Sequence, residues 1–255
     1  MRTPGRITYV GHATVLAELG GIRILTDPLL RRRLAHVRRR VPLPEDAELM
    51  PVDAIVISHA HADHLDLDTL KRVARGRLVI APRGCGRIIR RAQPADVIEL
   101  DAGDRFAVGT VEVEAFPALH DGRRHPLGRH IEALSFLLDR LYFAGDTDLF
   151  DGMGALAGRV DVALLPIWGW GPRLPAGHLN PQSAARAVAL IEPAVAVPIH
   201  WGTMRSIGAG RHAESRAPAA AFADAVASLG VAARAQILAP GEAMRLPPLV
   251  AAAGS

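Results

Sequence analysis

Cysteine, lysine and aromatic side chains are scarce in this chain of 255 residues. Cys85 is the only cysteine, which excludes a disulfide framework and fits a reducing compartment. Lys71 is the only lysine among 30 basic residues, so arginine carries nearly all the positive charge. With two Tyr, one Cys and one Lys, almost nothing titrates between neutrality and high pH. A formal charge of +4 therefore gives a pI near 10.1 without a strong field, and no nucleic-acid partner is expected from it. No apolar run approaches the ~18 uninterrupted residues of a spanning helix, and the start MRTPGRITYVGHATV lacks a signal-peptide pattern. A cytoplasmic protein with no integral membrane association is expected. What is abundant is ordinary globular material, 49% apolar and 22% charged, together with 11 histidines.

The apolar patterning alternates in kind along the chain. ITYVG, TVLAEL and IRILT read as strands around the Gly20-Gly21 turn. A loop from Asp27 to Pro51 follows, with two arginine triplets. VDAIVIS is a short buried strand that stops at His59, and Asp66 or Asp68 can cap a helix running to about Arg75. RLVIAP, VIEL, RFAVG, VEVEAFPAL, ALSFLLD, RLYFAGD, DVALLP and AVAVPIH are further strands. Asn180-Pro181 starts a helix to about Ile191, and another spans Ala217 to Leu229. This order implies two similar halves, each a sheet covered by helices on one face, packed sheet to sheet. The expected organisation is a single domain over residues 1–246 with a loose tail at 247–255.

The histidines are not spread evenly. ISHAHADHLD places His59, His61, Asp63 and His64 directly after an apolar strand. Three imidazoles and a carboxylate in six positions are costly to bury as bystanders. In an extended segment His59, His61 and Asp63 share a face, and a turn at His64 re-aims that ring, so one segment can serve two adjacent metals. Imidazole and carboxylate suit zinc, iron or manganese, and the lack of cysteine argues against a closed structural zinc site. His120, Asp146 and His200 each stand where another apolar strand ends, which is how a rigid sheet edge builds an open site. The bland alternative is a loop residue, a turn former and a surface ring. His36, His125, His130 and His212 lie in polar or arginine-rich loops and read as surface.

HAHADH, followed in order by His120, Asp146 and His200, resembles the HxHxDH signature of the metallo-β-lactamase-fold hydrolases. VGHATVLAELGGIRILTDP, YFAGDTD, GHLNPQSAARA and PIHWGTM look like the branch containing N-acylphosphatidylethanolamine-hydrolysing phospholipase D, with ascorbate-6-phosphate lactonase more distantly similar. The resemblance implies an α/β fold, the four-layer αββα sandwich, with a dinuclear centre at the sheet edge. It assigns His59, His61 and His120 to a first metal and Asp63, His64 and His200 to a second, with Asp146 bridging. The two divalent ions are expected to be Zn2+, with Mn2+ or Fe2+ as alternatives. Asp146 stands where true β-lactamases of the superfamily commonly use Cys, which argues against lactam antibiotics. His61 stands where flavodiiron oxygen reductases have a carboxylate, which favours hydrolysis over redox chemistry.

The expected reaction is metal-dependent hydrolysis of a phosphodiester, lactone or related ester. Two dications about 3.5–4 Å apart share a water and lower its pKa toward ~7, and the hydroxide attacks phosphorus or a carbonyl carbon. Asp63 is expected to orient that water. His178, matching a histidine of the phospholipase branch, is expected to contact a substrate oxygen or protonate the leaving group. His12 and Asp27 are candidates for supporting the ligands from behind, Asp27 as the carboxylate partner of an imidazole. RRRLAHVRRR, residues 31–40, suits an anionic, small or lipid-like substrate, or is simply a solvated loop. Trp168 and Trp170 offer an aromatic wall or a packed loop. A nuclease of the same superfamily and a non-enzymatic metal-binding scaffold are the alternatives. Against the first there is no aromatic-basic interleaving; against the second, every ligand position is filled.

Overall fold

The computed structural model describes residues 5–125, 127–169, 174–207 and 217–247. Trp170, His212 and tail residues 248–255 lie outside the described residues, so the expectations placed on them do too.

Two seven-stranded mixed sheets form the core of the described residues. In the first, Ala243–Arg245, Arg6–Gly11, Thr14–Leu19 and Ile22–Thr26 run antiparallel, and Ala54–Val56, Leu78–Pro82 and Asp96–Leu100 continue in parallel. In the second, Arg234–Ala235, Val195–Ile199, Val162–Pro166 and Leu141–Phe143 are parallel, and Glu132–Leu138, Val111–Asp121 and Arg105–Val108 complete it antiparallel.

The two-residue period of the strands assigns each face. Ile7, Tyr9, Val15, Ile24, Val56 and Ile80 point into the core shared with Val113, Phe136, Phe143 and Leu164 of the other sheet. Their neighbours Val10, Leu16, Leu25, Ile55 and Val79 point outward, under the helices Leu67–Val73 and Gly86–Ile89. Pro181–Ile191 and Ala217–Ser228 cover the second sheet with Ala184, Val188, Ile191, Phe222 and Val226. The layers are therefore helix, sheet, sheet, helix, as expected. Pro181–Ile191 starts where Asn180 accepts from the amides of Gln182 and Ser183, and the Ser183 hydroxyl closes a capping box. No helix among the described residues is long and apolar enough to cross a membrane.

The stretch between Asp27 and Pro51 departs from expectation. Instead of plain loop it contains the strands Arg33–Leu34 and Val37–Arg39, which join Met204–Ser206 in a third, three-stranded sheet. Its inner face buries Val37 and Met204 against Leu29. Consecutive arginines masked the strand signal, because the buried guanidinium of Arg39 takes an inward position that alternation reserves for apolar side chains.

Candidate metal centre

The site sits where strands of both sheets end. Past Val56 the chain continues through Ile57 and Ser58 into the loop that carries His59, His61, Asp63 and His64. The Asp66 carboxylate then caps Leu67–Val73 by accepting from the Thr69 amide at 3.0 Å. Two turns shape the loop, with His64 N and Leu65 N both donating to His61 O at 3.1 and 2.8 Å. Arg124 bridges its ends, one Nη1 donating to Ala60 O at 3.0 Å and Leu65 O at 2.5 Å. His120 is delivered by Val111–Asp121, near the end of an eleven-residue strand rather than just after a shorter one. Asp146 follows Leu141–Phe143, and His200 follows Val195–Ile199.

Backbone strain gathers here. His12, Asp27 and His200 all adopt left-handed φ, at 60°, 32° and 63°. For residues other than glycine this conformation is uncommon and survives where the surroundings enforce it. Hydrogen bonds do so: His200 N donates to His12 O at 2.8 Å, and Asp27 N to Val56 O at 2.9 Å.

The hydrogen-bond partners of the rings fix which nitrogen holds a lone pair. Ser58 Oγ donates to Asp27 Oδ2 at 2.5 Å, so its contact of 3.0 Å with His59 Nδ1 takes the ring's N–H. His120 Nδ1 donates to Gly177 O at 2.8 Å. His59 Nε2 and His120 Nε2 are then lone pairs, and both face His61 Nδ1, at 2.9 and 3.1 Å. One N–H on His61 cannot satisfy both. Three nitrogens that converge with at most one proton between them suit a cation.

The second group is richer in negative charge. His64 Nδ1 donates to Asp27 Oδ2 at 2.7 Å, and His200 Nδ1 to Trp168 O at 2.6 Å. The opposite nitrogens, His64 Nε2 and His200 Nε2, face each other at 3.3 Å. Asp63 Oδ2 lies 3.2 Å from His64 Nε2 and 3.8 Å from His200 Nε2. Asp146 reaches both rings, Oδ2 at 3.2 Å from His64 Nε2 and Oδ1 at 3.4 Å from His200 Nε2. Asp146 Oδ1 is buried without a hydrogen-bond partner. An orphaned carboxylate oxygen among imidazole nitrogens has the donor chemistry of a zinc, manganese or iron site.

The electrostatics agree. Burial pushes His59 well down, His12 down to about 3 and His120 down to about 4, so these rings stay neutral and able to ligate. Burial opposes charge on His64 too, but Asp146, Asp63 and Asp27 outweigh it and hold His64 well above the usual imidazole range. Burial would raise Asp63 and Asp146, yet His64 on the first, and His200 with His64 on the second, keep both carboxylates well below theirs. The centre is thus built to receive positive charge.

All seven residues expected to ligate come together. So does His178, whose Nδ1 meets the carbonyls of Pro175 and Ala176 at 3.2 and 3.1 Å and whose Nε2 lies 3.3 Å from Asp146 Oδ2. It is half-buried at the edge, with its ring 4.7 Å from that of His120. Asp27 is a carboxylate partner of a ring, as expected, and the ring is that of His64. His12 is nearer than a supporting role alone requires: its Nε2 is 2.9 Å from Asp63 Oδ2, and its ring centre is 3.9 Å from that of His200. Sequence reading missed Ser58, whose hydroxyl links Asp27 to His59. The only signal was its place beside His59 at the strand end. His36, His125 and His130 are exposed, as expected.

Residues 22–201 match the family model described as a Beta-lactamase superfamily domain. A UPF0173 metal-dependent hydrolase of Caldivirga maquilingensis is 30% identical over 249 residues, covering 95% of this chain and 99% of that protein. An N-acyl-phosphatidylethanolamine-hydrolyzing phospholipase D of Caenorhabditis elegans is 33% identical over 226 residues, covering 77% of this chain and 63% of that one. The chain spans only about three fifths of the length of several such relatives, 59% for a Mycobacterium tuberculosis protein of uncharacterized role. Among solved structures, the metallo hydrolase Igni18 of Ignicoccus hospitalis superposes with a TM-score of 0.72 at 23% identity, covering 97% of this chain and 100% of that one.

Proposed function

The chain belongs to the metallo-β-lactamase-fold superfamily of metal-dependent hydrolases, and from that premise we propose that it is a dinuclear enzyme cleaving a phosphodiester or related ester. His59, His61 and His120 would hold one divalent ion. Asp63, His64 and His200 would hold the other, and Asp146 would reach both. Zinc is the ion the reading favours, with manganese and iron compatible with the same donors. The observation that carries it is the convergence of His59 Nε2 and His120 Nε2 on His61 Nδ1, next to His64 Nε2 and His200 Nε2 facing the buried Asp146 carboxylate, whose Oδ1 has no hydrogen-bond partner. When bound, the ions supply Lewis acidity, polarising the ester and making water acidic enough to serve as nucleophile near neutral pH.

The protein's own groups perform the remaining work. Asp27 accepts the Nδ1 proton of His64 and Ser58 that of His59, which aims Nε2 of both rings into the site. His12 donates to Asp63 and leaves that carboxylate one fixed orientation. Asp63 orients the attacking water. His178, half-buried beside Asp146, contacts a substrate oxygen or returns a proton to the leaving group.

The substrate class follows from the surroundings and from the relative that hydrolyses N-acyl-phosphatidylethanolamine by its name. Leu119, 53% exposed, stands beside His120, and Trp168 packs half-buried behind its carbonyl on His200. Such a rim favours an anionic ester with an apolar portion, small or lipid-like.

The test is metal analysis joined to hydrolysis of bis-p-nitrophenyl phosphate. The reading expects close to two transition-metal ions per chain, with turnover abolished in His61→Ala and in Asp146→Ala. A fully loaded wild type that cleaves no ester, or variants as active as wild type, would overturn it.

A further inference from the structure

The six arginines of residues 31–40 divide into distinct environments. Arg31 pairs with Asp66 at 3.0 Å and Asp68 at 3.1 Å. Arg39 is turned inward, 7% exposed, and donates to Leu29 O at 3.0 Å and Val10 O at 2.8 Å. Arg33 and Arg38 remain on the outside. They are directly opposite each other in the small sheet, and Arg38 is opposite Arg205 on its other side. Opposed residues of antiparallel strands share a face, with Cβ atoms about 5 Å apart. Three arginines therefore form one row across three strands, although Arg205 is remote in sequence.

The row is not what sets the register of this sheet. Like charges directly opposite each other destabilise a sheet. The register is set from beneath, where Val37 and Met204 pack on Leu29. Among the described residues, neither Arg33 nor Arg38 pairs with a carboxylate. Ile207 continues the alternation of Met204–Ser206 onto the same outer face and is 53% exposed. Its amide donates to the carbonyl of exposed His36 at 2.7 Å.

The shape selects the ligand. Strands about 4.8 Å apart make the row roughly 10 Å wide on the outer face. A single phosphate is gripped by convergent donors, whereas arginines spread in a row across three strands, with a projecting aliphatic side chain beside them, match an array of anionic headgroups. We propose that the outer face of this three-stranded sheet docks the protein on an anionic lipid surface. The sheet is fastened to the metal centre, because Arg40 N donates to Thr203 O at 2.9 Å and Thr203 Oγ1 accepts from His12 N at 2.7 Å. The inference does not depend on which ester the site cleaves.

Flotation of the full chain with phosphatidylcholine vesicles, with and without phosphatidylglycerol, tests it. The protein is expected to float only with phosphatidylglycerol and to be released by salt, as the screening length falls from about 10 Å at 0.1 M to about 3 Å at 1 M. The combined variant Arg33→Ser, Arg38→Ser, Arg205→Ser is expected to lose about a hundredfold in vesicle affinity, at about 1 kcal/mol for each arginine near the surface. Ile207→Asp is expected to weaken binding on its own. Circular dichroism establishes that the variants fold. Should the triple variant fail to fold, the three single variants and the salt titration of the wild type decide. Absence of binding, equal binding to both vesicles, binding indifferent to salt or binding retained by the folded triple variant overturns the proposal. Arginine-dependent binding to double-stranded DNA without vesicle binding assigns the face to nucleic acid and overturns it as well.

Discussion

Asp27 and His64, 37 residues apart in the chain, meet in a fully buried hydrogen bond of 2.7 Å. The same carboxylate accepts from the Ser58 amide at 2.7 Å and from its hydroxyl at 2.5 Å. One side chain thus sets the orientation of two imidazoles, directly for His64 and through Ser58 for His59.

Asp27→Asn keeps the volume and removes the charge. Supporting carboxylates of this kind govern affinity more than fold, typically by 10–100-fold. Zinc affinity measured by chelator competition is expected to fall within about that range, with the circular dichroism spectrum retained. Unchanged affinity would remove Asp27 from the ligand system.

Metal binding is expected to stabilise the fold, because the unfolded chain has no preformed site. Free metal at about 1,000 times its Kd contributes roughly 4 kcal/mol. Calorimetry should record a lower melting temperature after EDTA and recovery on adding zinc or manganese. His120→Ala should blunt both changes.

Arg124 holds the ends of the histidine loop through two carbonyls. Arg124→Met leaves both partly buried carbonyls without that donor, at a cost of about 1–3 kcal/mol. Urea unfolding should show this loss in the metal-free protein. A midpoint equal to wild type would mean that the loop holds its own shape.

Alkaline pH should destabilise the protein through buried thiol and phenol groups that are not among the ligands. Burial pushes the Cys85 thiol and the Tyr9 and Tyr142 hydroxyls up to about 12. The folded chain then keeps protons that the unfolded chain releases from pH ~9 for the thiol and ~10 for the phenols, so stability falls as pH rises through that range toward 12. Native Cys85 should resist Ellman's reagent at pH 8 and react once the chain is denatured. Rapid reaction of the native protein would contradict its burial.

The site was legible where local sequence carried the information. His59, His61, Asp63 and His64 sit in one short segment, and His120, Asp146 and His200 follow or end runs of strand-forming residues. The fold was legible for a related reason, since alternation in TVLAEL or VEVEAFPAL states which side faces the core. What depends on register between distant strands was not. His12 reaches Asp63 across 51 residues. Arg205 joins Arg38 only because inward packing fixes the small sheet. The loop reading of residues 27–51 failed there because arginine supplied both the outward row and a buried donor, so the strands lacked an apolar period.

The two halves of the metal centre are also separated in time. The three-nitrogen group is complete when His120 has been made. The carboxylate-rich group waits for His200, which follows 80 residues later. At 5–20 residues per second that interval is roughly 4–16 s. If two ions bind as proposed, the second position cannot form before His200 has been made and the second sheet has closed around it.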